Sequence, residues 1–127
     1  MQDCRGCRGR GINPARPGYL YLVIHDGHRA LKWGIANLEQ RISQGWQLVA
    51  RWDFEQTGDA WAYERQIKTW VRGQGIPRAL TGDQMKYGGH TETAFLADVD
   101  VHLVRQYIES LTGWRPNSPP LPYRLRG

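Results

Sequence analysis

The sequence predicts a small α/β (α+β) domain, with a three-stranded antiparallel sheet flanked by helices in the order β-β-α-β-α-α. Its length of 127 residues, 40% of them hydrophobic and 23% charged, suffices for one globular core and is too short for two domains. Three short stretches are rich in aromatic and β-branched residues or alternate in polarity, which is typical of strands. Other stretches carry apolar residues at helical spacing.

The predicted sheet consists of a hairpin and one further strand. Residues 19–25 and 28–36 have the composition of strands, and Asp26-Gly27 between them is a strong signal for a two-residue turn. Residues 46–54 alternate between apolar and polar types and predict the third strand. These three segments predict one antiparallel sheet.

Three helices are predicted around this sheet. Residues 38–44 predict a short helix with Asn37 as its N-cap. Residues 59–72 predict a longer helix that ends at a pair of glycines, and residues 97–111 predict a last helix. Residues 76–93 are rich in glycine and polar residues and predict a loop between the last two helices.

Basic segments flank the predicted domain of residues 18–113. Residues 1–17 carry four Arg and one Asp, residues 114–127 form a Pro-rich tail with three Arg and no acid, and the net charge is +5. Basic ends suit a polyanion such as nucleic acid, although charged tails also serve solubility alone. The chain has no apolar run of transmembrane length and no secretory pattern at its start, so we expect a cytoplasmic protein without a membrane partner.

The two cysteines form a single C-x-x-C motif. Cys4 and Cys7 supply half of the ligand set of a structural zinc site. His25 and His28 have a spacing that could complete it, and zinc shared between two chains is an alternative. The simpler interpretation is an arm rich in Gly and Arg that binds no metal. Zn²⁺ at these cysteines is therefore one cofactor hypothesis, and a zinc-dependent interaction domain one functional hypothesis.

Four polar residues fall on or beside the predicted apolar faces. A two-residue turn places Tyr21 opposite Lys32 on the less apolar face of the hairpin. Arg41 lies at the edge of the apolar stripe of the short helix. Glu64 lies within the stripe of the longer helix, where a carboxylate is costly unless it is paired or binds a cation. The structural alternatives are a surface Tyr–Lys pair and a buried salt bridge between Glu64 and Arg41.

In this order, these residues resemble the motifs of the GIY-YIG nuclease superfamily over residues 18 to about 95. The segment 19–21 (YLY) matches the first motif, with Tyr21 as the motif tyrosine. The segment 32–34 (KWG) matches the second, with Lys32 in place of its tyrosine, as in some restriction-enzyme members.

The later motifs extend the resemblance. Arg41 matches the family arginine, and Glu64 matches the metal-binding glutamate. The segment 88–93 (GGHTET) looks like the ending of phage-type members. The family's late asparagine has no clear match, and His90 or Glu92 stands near its place.

The resemblance implies a metal-dependent endonuclease that hydrolyses phosphodiester bonds in DNA, or in RNA. Glu64 would bind Mg²⁺ or Mn²⁺, Tyr21 assisted by Lys32 would take a proton from the attacking water or orient it, and Arg41 would bind the phosphate. A homodimer would allow cleavage of both strands. The alternatives are an inactive nucleic-acid-binding module of the same fold and a purely structural polar network.

Overall fold

The structure is a computed structural model that describes residues 12–40, 42, 44–85 and 90–113. The elements are β1 (Gly18–His25), β2 (Ala30–Asn37), β3 (Trp46–Phe54), α1 (Gly58–Gly73), a 3₁₀ turn (His90–Glu92), β4 (Thr93–Phe95) and α2 (Val101–Thr112). The four strands form one antiparallel sheet in the order β3-β1-β2-β4, and the two helices pack against it.

The core confirms the predicted faces of the hairpin. The buried cluster contains alternate residues of β1 and β2 together with the apolar stripes of both helices, among them Leu20, Leu22, Ile24, Leu31, Trp33, Ile67, Val71, Val104 and Ile108. Strand side chains alternate, so the intervening residues of the hairpin project from the opposite face. In the described part of the chain, no helix is long and apolar enough to cross a membrane.

The prediction of three strands is wrong, because the sheet has a fourth. Strand β4 lies at the end of the segment predicted as a loop, and it pairs with residues 30–32 of β2. Three residues are too few to show an alternating pattern. The short strand matters for the site because it follows directly after Glu92.

The predicted helix over residues 38–44 is also wrong. A single turn forms, in which Gln40 N–H donates to the Asn37 carbonyl at 3.0 Å, but none of the described residues of this segment is helical. Leu38, an apolar residue of this segment, is 50% exposed. A short helix has little stability without an apolar face to bury, and this segment buries little. The element order of the described residues is therefore β-β-β-α-β-α.

The hairpin turn is longer than predicted. His25 pairs with Ala30, so the loop spans residues 26–29, and Arg29 N–H donates to the Asp26 carbonyl at 3.2 Å. A tight two-residue turn of the Asp-Gly type needs left-handed φ angles at both central residues, but here Arg29 is left-handed (φ 53°) and Gly27 is not. The register shifts by two residues, and every side chain stays on its predicted face.

The three long elements predicted after the hairpin are confirmed, with small changes at the ends of the helices. Strand β3 has the predicted bounds, and helix α1 starts after Thr57. Helix α2 starts at Val101 rather than at residue 97, because the Asp100 side chain accepts a hydrogen bond from His102 N–H at 2.9 Å. It ends at Gly113, whose left-handed φ of 76° is typical of a helix C-cap.

A buried polar cluster holds the first helix to the hairpin. Asn37 is fully buried; its Oδ1 accepts from Asn13 N–H at 2.7 Å, and its Nδ2 donates to Thr57 Oγ1 at 2.8 Å and to the Asn13 carbonyl at 3.0 Å. Thr57 Oγ1 in turn donates to the Arg16 carbonyl at 2.8 Å. We call Asn13, Asn37 and Thr57 the asparagine cluster. Its buried polar side chains all have hydrogen-bond partners.

Candidate functional site

The hairpin brings Tyr21 and Lys32 together over Gly34. Tyr21 pairs with Gly34 across the strands, and Lys32 is its diagonal neighbour rather than its direct partner, which corrects the predicted register. Lys32 Nζ donates a hydrogen bond to the Tyr21 hydroxyl, and it lies 4.6 Å from the centre of the phenol ring. The predicted contact between Tyr21 and Lys32 is therefore confirmed, although the two residues are diagonal neighbours and not directly opposite each other.

Glycine at position 34 makes room for this pair. A Cβ atom there would lie 2.5 Å from the Tyr21 hydroxyl oxygen and 3.1 Å from Lys32 Nζ. Both contacts are closer than van der Waals distance, so any larger residue would displace the two polar groups. Because residue 34 has no side chain, the Tyr21 hydroxyl can occupy this space.

Tyr19 and Arg51 support Tyr21 from the side. The Tyr19 ring lies 6.0 Å from the Tyr21 ring, and the Arg51 guanidinium lies 4.3 Å above Tyr19. Tyr19 is 3% exposed, its hydroxyl donates to the Gln40 carbonyl at 2.8 Å, and burial raises its pKa. Arg51 pairs with Tyr21 across β1 and β3 and forms a salt bridge with Asp53 at 2.8 Å.

Glu64 lies on helix α1 beside the buried stripe of Ala60, Ile67 and Val71, as predicted. Its half-buried carboxylate has no hydrogen bond or salt bridge with any residue that the structure describes. Burial raises the pKa of Glu64 to about 7, and the nearby charge of Glu92 raises it as well. A carboxylate in these surroundings gains from an added cation.

Three cations act on Glu64 electrostatically, but its pKa stays raised. Lys32, Lys68 and Arg65 each lower the pKa of Glu64, but by less than burial and Glu92 raise it. Lys32 therefore acts electrostatically on Glu64 while it donates a hydrogen bond to Tyr21. One lysine thus links the residues of the hairpin with the helix glutamate.

Glu92 is a second carboxylate in the site, and it has partners. It forms a salt bridge with Lys68 at 3.3 Å and accepts a hydrogen bond from the Thr91 hydroxyl at 2.7 Å. Lys68 lies four residues after Glu64 on the same helix, so both residues project from one side of α1. Glu92, predicted only from its place in the segment 88–93, therefore lies within electrostatic reach of Glu64.

Arg72 holds the segment that carries Glu92. Its Nη2 donates to the carbonyls of Thr91 and Thr93 at 2.6 and 3.0 Å, and its Nη1 donates to the Ile76 carbonyl at 3.0 Å. The carbonyls of Thr91 and Thr93 flank Glu92 in the chain, so the guanidinium fixes the backbone on both sides of it. Burial lowers the pKa of Arg72.

The donor set of this site suits a hard divalent cation. Carboxylate oxygens are the ligands that Mg²⁺ prefers in proteins, and Glu64 presents one without a protein partner among the described residues. No group of three or more His, Cys, Asp or Glu residues is placed to hold a metal ion within residues 12–85 and 90–113, so far as these are described. A cation here would therefore keep much of its coordination by water.

Several predicted site residues lie outside the described residues. These are Arg41 and the cysteines Cys4 and Cys7, so the predicted phosphate ligand and zinc site stay predictions. The backbone of His90 lies in the 3₁₀ turn before β4. The hairpin histidines contact each other, with ring centres 4.3 Å apart and ring planes tilted by 37°, and His25 Nδ1 accepts from His28 N–H at 3.1 Å. Burial first, and then His28, lower the pKa of His25.

Sequence reasoning missed three residues of this site. Arg51 occupies the β3 position beside Tyr21, Lys68 pairs with Glu92, and Arg72 holds the Glu92 segment. The spacing of four residues from Glu64 to Lys68 and on to Arg72 was a readable signal, because residues at this spacing share a helix face. Arg51 could have been found from alternation along β3 once the register was known.

Comparisons with known proteins leave the family of this chain open. No protein-family model, no curated protein and no solved structure matches it.

Proposed function

We propose that this protein is a metal-dependent endonuclease that hydrolyses phosphodiester bonds in DNA through a single-metal, GIY-YIG-type mechanism. The observation that carries the proposal is the convergence of Tyr21, Lys32 and Glu64, which the sequence separates widely. Such a hydrolysis needs a hydroxyl paired with an ammonium group and a carboxylate that can bind a cation, and Glu64 has no partner among the described residues.

The hairpin pair would handle the proton of the attacking water. Tyr21 would first release its phenolic proton to solvent, with the positive charge of Lys32 stabilising the phenolate, and the phenolate oxygen would then accept a proton from the attacking water. The resulting hydroxide attacks phosphorus, and the bond to the 3′ oxygen breaks. The products are a 5′-phosphate and a 3′-hydroxyl, whose oxygen takes its proton from solvent.

Glu64 would hold the divalent cation, with Glu92 close by. When bound, Mg²⁺ or Mn²⁺ would neutralise the charge that develops on the departing 3′ oxygen. The lysine partner and backbone clamp of Glu92 keep the second carboxylate beside Glu64. Arg41 and Arg51 are the proposed phosphate ligands, since guanidinium groups bind phosphate with two parallel donors.

The substrate and the setting belong to the same proposal. DNA is the proposed substrate and RNA the alternative, and we propose a cytoplasmic protein that acts as a homodimer when both strands are cut. The net charge of +5 and the basic segments at both ends suit a nucleic-acid backbone. A phage or other mobile element is the proposed setting.

A nucleic-acid-binding module without catalysis is the second candidate. The observation that favours it is Lys32 at the position where the family motif has a tyrosine. This candidate predicts binding that weakens steeply with salt, and no cleavage. The zinc-dependent interaction domain rests on Cys4 and Cys7 alone, and it predicts stoichiometric zinc and unfolding upon chelation.

Cleavage of supercoiled plasmid with Mg²⁺ or Mn²⁺, beside an EDTA control, tests the proposal. We expect metal-dependent nicking by wild-type protein, and none by Glu64→Ala, which should still bind DNA in EDTA. Glu39→Ala is the matched control, because Glu39 is an exposed glutamate outside the site. Folded wild-type protein that binds but does not cleave plasmid, single-stranded DNA or RNA would favour the binding module.

A further inference from the structure

A second surface of helix α1 forms a groove with aromatic and basic lining. The groove has a volume of about 360 Å³ and is lined by Ala62, Arg65, Gln66, Thr69, Trp70 and Tyr107. Five of these residues lie at helical spacings of three and four, so they form one face of α1. Ile67 and Val71 face the core, so by helical spacing the centre of this face points away from the sheet.

The aromatic wall of the groove is already assembled. The rings of Trp70 and Tyr107 stack with their centres 4.2 Å apart and their planes 7° from parallel. Both side chains are half-buried and pack against the core, so they are held in place before any ligand binds. The two rings cover each other's inner faces, so a planar ligand would stack on an outer face of the pair, and little of its binding energy would be lost in ordering that surface.

The other lining residues are polar and carry a positive charge. Arg65 is exposed, it is the charged residue of the lining, and no carboxylate lines the groove. Gln66 is exposed and offers both an amide donor and a carbonyl acceptor. An aromatic surface beside a guanidinium and an amide matches a nucleotide, with a base to stack, a phosphate to pair and a base edge to bind.

We infer that this groove binds one nucleotide of a single-stranded nucleic acid, with the base on an outer face of the stacked Trp70–Tyr107 pair and the phosphate at Arg65. The inference rests on the proposed function in that it assumes a nucleic-acid substrate. A helix is about 10 Å across, so the groove would take a nucleotide that flanks the cleavage site rather than the scissile one.

Binding of a fluorescent oligothymidylate in EDTA, measured by anisotropy, tests the inference without cleavage. Ala62→Glu places bulk and negative charge on the groove, and Ala62 is exposed, so the variant should fold. The matched control is Ala97→Glu, the same change at an exposed position outside the groove. We expect Ala62→Glu to weaken binding about tenfold, and Ala97→Glu to change it less than about twofold.

An abasic oligonucleotide of the same length separates stacking from charge. It keeps the phosphates but has no bases, so we expect wild-type protein to bind it about tenfold more weakly than oligothymidylate. Trp70→Leu should remove this difference while Arg65 remains. Thermal unfolding of Trp70→Leu identifies a loss that comes from misfolding, and the Ala62→Glu result stands independently of it.

Three results would overturn the inference. They are equal weakening by Ala62→Glu and Ala97→Glu, equal affinity of wild-type protein for the abasic and normal strands, or no binding of oligothymidylate. Plasmid cleavage by wild-type protein and by Ala62→Glu reports on the proposed function separately. If the protein cleaves plasmid but the groove variants bind like wild-type protein, only the inference about the groove is contradicted. If the groove binds oligothymidylate but the protein does not cleave, only the proposed nuclease activity is contradicted.

Discussion

Two polar groups lie at the edges of the same core, and they differ in how far the protein satisfies them. In the asparagine cluster, the fully buried Asn37 has hydrogen-bond partners for both side-chain polar atoms. In the candidate site, the half-buried Glu64 carboxylate has no hydrogen bond or salt bridge to the described residues, and burial raises its pKa to about 7. A satisfied buried group stabilises a fold, whereas an unsatisfied one lowers stability unless a ligand completes it.

The difference teaches where to look for function in this chain. Both clusters join the hairpin to helix α1, and both contain residues far apart in sequence. They differ because Glu64, unlike Asn37, has no hydrogen-bond or salt-bridge partner among the residues that the structure describes. We interpret its partner as a cation from solution, and each prediction below is a way to break or sharpen this contrast.

The largest effect is expected from Asn37→Ala. The substitution removes the hydrogen bonds of a fully buried side chain and leaves Asn13 N–H without the oxygen that it binds, so we expect a loss of about 3 kcal/mol in the free energy of unfolding. Urea unfolding measures it, with Glu39→Ala as a control that should change stability by less than about 0.5 kcal/mol. If Asn37→Ala has the same free energy of unfolding as wild-type protein, the asparagine cluster does not stabilise the fold, and the contrast with the candidate site fails.

In contrast, we expect Glu64→Gln to increase the free energy of unfolding in EDTA. The carboxyl has a pKa of about 7 in the folded protein and an ordinary value near 4.5, so ionisation disfavours the folded state progressively between these pH values. Above about pH 7 we expect Glu64→Gln to be more stable than wild-type protein by up to about 3 kcal/mol. Below about pH 4.5 the gain should vanish, because the wild-type carboxyl is protonated in both states.

Glu92→Gln is the matched control for this measurement. It relieves the repulsion between Glu92 and Glu64 but also removes the salt bridge to Lys68, so any gain in stability should be smaller than that of Glu64→Gln. Equal stabilisation by both substitutions would show that the contrast between the two glutamates is not real.

Gly34→Ala should damage activity without unfolding the protein. The added methyl group meets the Tyr21 hydroxyl and Lys32 Nζ, which are the ends of flexible side chains, so the two side chains must move. We expect cleavage to fall about 100-fold, which corresponds to about 2.7 kcal/mol in the barrier. Plasmid nicking rates measure it, and the control is Gly73→Ala, since nothing lies within 4 Å of that position. A rate within about twofold of wild type would remove the hairpin pair from the mechanism.

A smaller effect is expected from Arg72→Lys. Lysine keeps the charge but cannot reach all three carbonyl oxygens at once, so we expect a loss of about 1–2 kcal/mol in stability. Cleavage should fall about fivefold, because the segment that carries Glu92 is held less firmly. Arg78→Lys, at an exposed position, should change neither urea unfolding nor cleavage. Unchanged cleavage by Arg72→Lys would show that Glu92 does not need this clamp.

Much of the fold could be predicted because local patterns were strong. The period of the hairpin strands assigned Tyr21 and Lys32 to one face, and that assignment survived an error of two residues in the register. Helix α1 placed Glu64 beside its buried stripe because three apolar residues recur at helical spacing.

The remaining features depend on tertiary contacts that no local pattern reports. Asn37 was read as a helix cap, but its side chain binds Asn13 and Thr57, which lie 24 and 20 residues away. The pairing of Glu92 with Lys68 depends on a three-residue strand too short to predict. In both cases a polar side chain found its partner across the fold rather than along the chain.

Thermal unfolding with and without Mg²⁺ tests the central claim, that a cation from solution provides the partner that Glu64 does not have among the described residues. For a site with a dissociation constant near 1 mM, about 10 mM Mg²⁺ should stabilise wild-type protein by about 1.4 kcal/mol. We predict that the melting temperature rises more at about pH 8 than at about pH 6, because the cation competes with a proton for a carboxyl with a pKa of about 7. Glu64→Gln should show no rise. An equal rise in wild-type protein and in Glu64→Gln would contradict the account.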